Sequence, residues 1–429
     1  MNIVERGKAF VQSLWARVGR SVWDWRKCPH CGSTLTSKWG TYVRRPWCFG
    51  GRREVVVQRH RCQECGRTYS ETSPWLVRRS WYGREVHRCA VDHWLHARTS
   101  LRRTAELVRS WVGKQERYCL WRLGAEEPSQ GERCWLSAST VHRWLDRAGE
   151  EAERSVPGQL AGVETSEQFG ADGLWVRLRG KGKRVVLLLV DSVTGVVWPP
   201  LVVRGEKTAG PWERLFAQAR EAGLELERVR GVTSDGVTGL ADYLRRKLFW
   251  VNHQRCVWHV WRNLAGELGR AVARAAQGLA GAAAQEAREQ ARRELGALLH
   301  QVLDAPTYEQ AEAALATLRG HPLGARLGQM VSAQMDKLFF HLTAYGQGLG
   351  RVAPEWCWRD FRLRLSRGRN HGSAQRYQRA ALVWAIYRNF TPRQRRSERK
   401  RRYRHPGQSP LEVARASPGE ISYLDALGV

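Results

Sequence analysis

The chain has 429 residues, 42% of them apolar, enough for two or three domains with a sizeable core. Lys and Arg total 71 against 41 Asp and Glu, a formal charge of +30 that excludes a charge-balanced surface and points to a polyanionic partner, since cation–phosphate contacts release counterions. No signal peptide is visible, and apolar runs such as residues 185–190 fall far short of the roughly 20 residues of a membrane span, so a cytoplasmic protein with no membrane partner is expected. Only ten of the cations are lysines. The planar guanidinium suits bidentate phosphate contact, although a GC-rich genome gives the same bias.

Residues 1–80 read as a zinc ribbon. Cys28-Pro29-His30-Cys31-Gly32 is matched by Cys62-Gln63-Glu64-Cys65-Gly66. In each, two cysteines are separated by two residues, and the Gly lets the backbone turn so that both sulfurs face one ion. A strand-like run at 54–59 puts the second knuckle at a hairpin. Four thiolates close a tetrahedral structural site with no open position for catalysis; the alternative is two unrelated thiol pairs. Cys48, Cys89, Cys119, Cys134 and Cys357 lack the spacing and read as small core residues. The C-x2-C usage favours a reducing compartment over a secreted disulfide scaffold.

From 81 to 156 the pattern is helical. Residues 100–108 place apolar side chains at helical spacing behind a Ser cap, and residues 136–145 repeat this with Ser137 and Ser139 as candidate caps. Val141, Trp144 and Leu145 are expected to face inward. Ser139, Thr140 and Arg143 face out, as on the DNA-reading helix of a helix-turn-helix. A plain helical hairpin is the alternative.

Near Val156-Pro157-Gly158 the composition turns to strands, opening a region at 157–260. Runs at 174–178, 184–190 and 196–203 form a meander. A helix at 211–222 with Pro in its first turn, a strand at 229–233, a helix at 240–248 and a strand at 250–253 complete the order of an RNase-H-like α/β domain. Asp172 stands at the first strand, and Asp235 stands just past the carboxyl end of the fourth, where ligands of open α/β sheets collect. Oxygen ligands at these places suit Mg²⁺ or Mn²⁺, and two ions about 4 Å apart serve phosphoryl transfer. Asp-Gly is also a common turn dipeptide.

Asp172-Gly173, Asp235-Gly236 and Cys256-Val257-Trp258-His259 together resemble the core of bacterial insertion-sequence DDE transposases related to the Mutator-like group. There a C-x2-H pair follows the second aspartate at a similar distance; here the interval is 21 residues, 235 to 256. The resemblance implies a multidomain α/β protein with an N-terminal zinc ribbon and helix-turn-helix, then a retroviral-integrase-like catalytic domain with an all-helical insertion. It also implies two catalytic Mg²⁺ or Mn²⁺ ions, double-stranded DNA as partner (terminal repeats and target), a homodimer or larger assembly on DNA, and a prokaryotic, nucleoid-associated location. Cys256 and His259 are expected to support the site by packing.

The implied insertion fits residues 261–350, where 282–295 holds neither Gly nor Pro. A final core segment at 351–391 opens with Pro354-Glu355, a helix start at which a carboxylate is favoured by the dipole. Glu355, Arg359 and Arg362 fall on one face. The resemblance implies a Glu followed by arginines here, making Glu355 the third catalytic carboxylate with Arg359 and Arg362 in support. Asp360 and Glu398 are the alternatives, because the Asn usual three residues before that Glu is Val352. The tail 392–429 begins with eight Lys or Arg around one Glu at 392–405, a run expected to lie along DNA. The expected function is a DNA transposase that cuts the terminal inverted repeats of an insertion sequence and joins them to target DNA; the alternative is a catalytically decayed, transposase-derived DNA-binding protein.

Overall fold

The computed structural model describes residues 26–49, 51–71, 73, 75–123, 134–178, 180–346, 350, 355–365, 372–392, 407–416 and 421–429, excluding the side chains of residues 113–123, 157–159, 345, 355 and 356. Glu398, Val352, most of the basic run at 392–405, and the side chains of Glu355 and Cys119 therefore lie outside the described residues. The chain divides into two compact units, Met1–Arg147 with Val429 and Ala148–Gly428; the division falls within helix Ala138–Leu160. Among the described residues no helix is long and apolar enough to cross a membrane.

In the N-terminal unit, β1 (Thr36–Arg44) pairs antiparallel with β4 (Val55–Cys62), which pairs with β5 (Thr68–Ser70). β2 (Trp47–Cys48) and β3 (Gly51–Arg52) form a small hairpin between them. The strand expected at 54–59 is thus β4, extended to Cys62, and it alternates His60 and Cys62 inward with Arg59 and Arg61 outward. Three helices follow: α1 (Arg84–His96), α2 (Leu101–Leu123) and α3 (Ala138–Leu160). Ser100 caps α2, its Oγ accepting from Arg103 N at 3.2 Å. Of the two candidate caps for α3, Ser137 is the one used, accepting from Thr140 N at 3.1 Å. Ser139 sits inside the helix, where it has no terminal N–H to bond. Val141, Trp144 and Leu145 are buried, as the periodicity requires.

His87, on α1, is stacked on Trp144 at 3.8 Å, and its Nε2 meets Ser80 Oγ at 2.8 Å. Burial pushes its imidazole down to about 3, helped by Arg147 and Arg84. Below its ordinary value of about 6.5 the unfolded chain takes up a proton that the folded unit refuses. Stability of this unit is therefore expected in full above pH 6.5 and to fall as pH drops towards 3. Urea midpoints measured from pH 7 to pH 4 check this, and in His87→Gln the histidine's share of the slope should vanish.

The C-terminal unit is built on a five-stranded sheet. β6 (Gln168–Leu178), β7 (Gly182–Asp191) and β8 (Leu201–Val203) form an antiparallel meander; β9 (Gly231–Ser234) joins β6 in parallel and β10 (Asn252–Arg255) joins β9 in parallel, giving the order β10-β9-β6-β7-β8. Val185 to Val190 on β7 are all buried; since their side chains alternate between faces, both faces of the sheet are covered there. β6 starts earlier than the expected 174, so Asp172 lies within the strand.

The strand expected at 196–203 is shorter. Only Leu201–Val203 joins the ladder, beyond a single bridge at Val197. Pro199 and Pro200 have no N–H to donate. The Val197 peptide bonds instead to the Asn389 amide, whose Oδ1 accepts from Val197 N at 2.8 Å and whose Nδ2 donates to Val197 O at 2.9 Å. β10 begins at Asn252 rather than 250, and Phe249 and Trp250 remain exposed ahead of it.

Around the sheet lie α4 (Ala209–Glu221), packed against β7 and β8, and α5 (Thr238–Lys247), packed against α4. Pro211 falls in the first turn of α4, where its missing N–H is harmless. After β10 the chain enters a helical region: α6 (Val257–Ala275), α7 (Gly281–Leu303), α8 (Tyr308–Gly320), α9 (Ala325–Ser332) and α10 (Met335–Leu338). These share their own core, including Leu264, Leu295, Leu299, Leu315, Leu327 and Phe339. Buried Gln254 on β10 moors this region to the sheet edge, its Oε1 accepting from His341 N at 2.9 Å. The chain returns through α11 (Glu355–Leu365) and α12 (Ala374–Phe390), and two short helices, α13 (Pro410–Val413) and α14 (Tyr423–Ala426), follow.

Candidate functional site

The N-terminal unit holds the most compact ligand set. Cys28, Cys31, Cys62 and Cys65 bring their sulfurs within 4.8 Å of one another, with Cys28–Cys65 at 3.6 Å and Cys31–Cys62 at 3.5 Å. A tetrahedron with Zn–S of about 2.3 Å has edges of about 3.8 Å, so the set fits a structural zinc ion. The knuckles close through Gly32 N to Cys28 O and Gly66 N to Cys62 O, and both glycines have positive φ, +78° and +68°. The Cys65 backbone N–H, then the Cys31 thiol and the Glu64 backbone N–H, lower the Cys62 thiol, while Cys31, paired with it at 3.5 Å, is raised, so Cys62 is the thiol of this pair that gives up its proton more readily. Of the remaining cysteines, Cys48 and Cys357 are buried, while Cys89 and Cys134 are partly exposed.

In the C-terminal unit Asp172 and Asp235 belong to the neighbouring elements β6 and the end of β9, which run side by side. Gly170 pairs with Thr233 in the parallel register. Counted on by two residues in that register, Asp172 on β6 falls opposite Asp235, the first residue past β9. Asp172 is 3% exposed; its Oδ1 accepts from Gly173 N at 2.8 Å and its Oδ2 from Trp358 Nε1 at 2.6 Å. Trp358 lies one turn after Glu355 on α11, so the backbone of Glu355 belongs to the same end of the helix that reaches Asp172. Arg359 and Arg362 are exposed on α11. Asp360 is tied to Arg364 and accepts from Trp384 Nε1 at 2.9 Å, so its carboxylate braces α11 against α12.

Asp235 closes a tight turn: its Oδ1 accepts from Val237 N at 2.9 Å, and Gly236 has φ +79° with the Arg255 guanidinium against it. Cys256 N donates to Ser234 O at 2.7 Å, placing Cys256 beside this turn, and both Cys256 and His259 are buried. Outside the four cysteines, no three Cys, His, Asp or Glu ligand atoms converge among the described residues.

One residue escaped sequence reasoning. Glu206, between β8 and α4, is 8% exposed, and its Oε1 accepts from Trp175 Nε1 at 2.7 Å. Its other oxygen fills the space a side chain at Gly173 would occupy. Burial raises its carboxyl above the usual range, offset in part by the Trp175 bond, and the nearby charge of Asp235 raises it further. Glu206 and Trp175 lie on the face of β6 opposite Asp172, by strand alternation. The segment from Glu206 to Thr208 also packs on the start of α5: Thr238 Oγ1 donates to Lys207 O at 3.2 Å, and a Cβ on Gly239 would meet Glu206 O at 2.2 Å and Thr208 O at 2.4 Å. The segment thus braces the Asp235 turn against β6. A Gly-Glu-Lys loop carries no sequence signal of this.

Gly239→Ala is therefore expected to destabilise the C-terminal unit by about 1–3 kcal/mol, because backbone oxygens cannot swing aside. Gly266→Ala, at an open position of α6, should stabilise by about 0.5–1 kcal/mol. Urea unfolding of the two variants makes the comparison.

The chain combines an α/β unit, with Asp172 on β6 and Asp235 just past β9, and a four-cysteine cluster. Residues 200–323 match the family described as "Transposase, Mutator family". The chain thus resembles Mutator family transposases over a stretch running from β8 through α8, which contains Glu206, Asp235, Cys256 and His259 and supports a transposase function. Asp172 and Glu355 lie outside it. No curated protein matches the chain.

Proposed function

We propose that the protein is a DDE-type DNA transposase that binds the terminal inverted repeats of an insertion sequence and carries out strand cleavage and strand transfer. What carries the reading is the parallel register of β6 and β9, which, counted on by two residues from Gly170 and Thr233, sets Asp172 opposite Asp235 just past the end of β9, the second of them inside the Mutator family match. The strand order β10-β9-β6-β7-β8, with two parallel and two antiparallel neighbours, supports an RNase-H-like core.

Asp172 and Asp235 are oxygen donors suited to Mg²⁺ or Mn²⁺, and Glu355 on α11 is the proposed third. Two such ions, when bound, activate the attacking oxygen and stabilise the leaving one. The protein's own contribution is positional. Trp358 fixes one Asp172 oxygen, Val237 N fixes one Asp235 oxygen, and Glu206 braces the turn between them. Arg359 and Arg362 offer phosphate contacts, and Cys256 and His259 support the Asp235 turn by packing. In the N-terminal unit, Ser139, Thr140 and Arg143 on α3 are the proposed contacts of a helix-turn-helix with duplex DNA, beside the zinc ribbon. Cutting two element ends in concert calls for at least a dimer on DNA, in the cytoplasm where the element resides.

The test is cleavage by the full chain of a duplex carrying the inverted repeats that flank its gene, with Mg²⁺ or Mn²⁺. Cleavage at the repeat boundary supports the reading. Tight binding of the repeats with no cleavage under either metal would replace it with a decayed, DNA-binding descendant.

A further inference from the structure

The N-terminal unit has a cavity-forming surface that the cysteine cluster does not require and that extends well beyond Thr140 and Arg143, the two residues it shares with the proposed duplex contacts of α3. A cavity of about 650 Å³ is lined at its rim by Trp81, Trp135, Arg52, Arg79, Arg143 and Arg147. Trp81 and Trp135 are each 77% exposed, unusual for the largest apolar side chain. Among the described residues no carboxylate lines this cavity. Its floor is rigid: buried Trp47, Tyr82 and Trp144 lie beneath, with Arg52 over the Trp47 ring at 4.9 Å and Tyr82 edge-on to Trp144 at 5.3 Å.

The backbone is also fixed at the rim. Trp47 N donates to Trp81 O and Gly83 N to Trp47 O, both at 2.7 Å. Arg79 is held at φ +54°, a left-handed conformation that a side-chain-bearing residue adopts at a cost, while Arg44 clamps the same loop through Val77 O and Ser80 O. Arg79 and Trp81 also border an adjoining cleft of about 1,090 Å³, to which Tyr42, Arg44, Arg45 and Arg78 contribute. The two together make a cationic path with aromatic faces along it.

We propose that this path binds unpaired nucleotides of a single DNA strand, with bases stacked on Trp81 and Trp135 and the flanking phosphates held by the arginines. Arginines outnumber carboxylates along the path: among the described lining residues the one carboxylate is Glu71, bonded to His60 at 2.9 Å, and this excess of cations selects a polyanion over an ordinary protein surface. Exposed indole faces select a polyanion whose bases are available, and in a paired duplex those faces are buried in the stack. The ligand class is thus a frayed end, a flipped base or a short single-stranded flank. The inference goes beyond duplex recognition and stands whether or not the carboxylates of the other unit cut DNA.

The experiment compares the full-length protein on two DNAs of one sequence, a blunt duplex and the same duplex with a four-nucleotide unpaired flank containing 2-aminopurine. The flank is expected to tighten binding and its fluorescence to be quenched. Trp81→Ala and Trp135→Ala should each weaken flanked DNA about tenfold, leave blunt duplex unchanged and abolish the quench. Trp81→Phe should restore most of it. Zinc content and near-UV circular dichroism verify that each variant is folded. Equal loss on both DNAs, or no loss on either, overturns the proposal. Displacement of the flanked DNA by a poly-glutamate peptide at matching affinity would indicate an acidic protein partner and overturn it as well.

Discussion

Asp235→Asn is expected to lower metal-dependent strand cleavage by on the order of 10³-fold or more, with no change in thermal stability. Asn keeps the oxygen that accepts from Val237 N, so the turn and the left-handed Gly236 behind it survive. What is removed is one negative charge beside Arg255. Asp172→Asn should abolish cleavage equally but with a structural cost. Both Asp172 oxygens accept hydrogen bonds, from Gly173 N and Trp358 Nε1, and an amide nitrogen put in place of either oxygen would face a donor. A loss of about 1–3 kcal/mol is expected, with α11 loosened. Cleavage rates beside unfolding curves separate the two outcomes. If Asp235→Asn cuts as well as the parent, the carboxylate site is misassigned.

Removing the metal from the cysteine cluster should have the other large effect. Cys62 is fully buried, and its strand pairs with both β1 and β5. Structural zinc in comparable small sites contributes apparent binding energies of about 10–16 kcal/mol at neutral pH, far above what a three-stranded ribbon gains from its few buried side chains. A strong chelator, or Cys62→Ser, is therefore expected to unfold residues 28–70 and to release one zinc per chain. Because thiolates compete with protons for the ion, less chelator should suffice as pH falls from 8 to 6. Hydrogen exchange is the measurement: protection should vanish in β1, β4 and β5 and persist in β6 and β7, which have their own core. Loss of protection across both units would contradict a purely local metal site.

Much of this was legible because the signals are local. The two C-x2-C-G knuckles state their own geometry, and the six-residue apolar run of β7 announces a strand covered on both faces. Asp235 could be placed because a strand and a glycine turn adjoin it. The features that were not legible depend on partners far along the chain. The strand expected at 196–203 failed because Pro199 and Pro200 offer no donors and the Val197 peptide is claimed by Asn389, 192 residues away. Glu206 reads as a solvated loop charge until Trp175 is seen to bind it across the sheet. Asp360 reads as a candidate ligand until Trp384 and Arg364 are seen to occupy it.

The bond between Asp172 and Trp358 spans 186 residues. At ribosomal speeds of about 5–20 residues per second, roughly 10–40 seconds separate the emergence of the aspartate from that of the indole that fixes it. For that interval β6 and β7 can pair, yet Asp172 has no indole to orient it and α11 does not exist. A nascent chain, or one truncated before α11, would thus hold Asp172 without the indole that aims it, so the frame of the proposed site is completed only when α11 has been made.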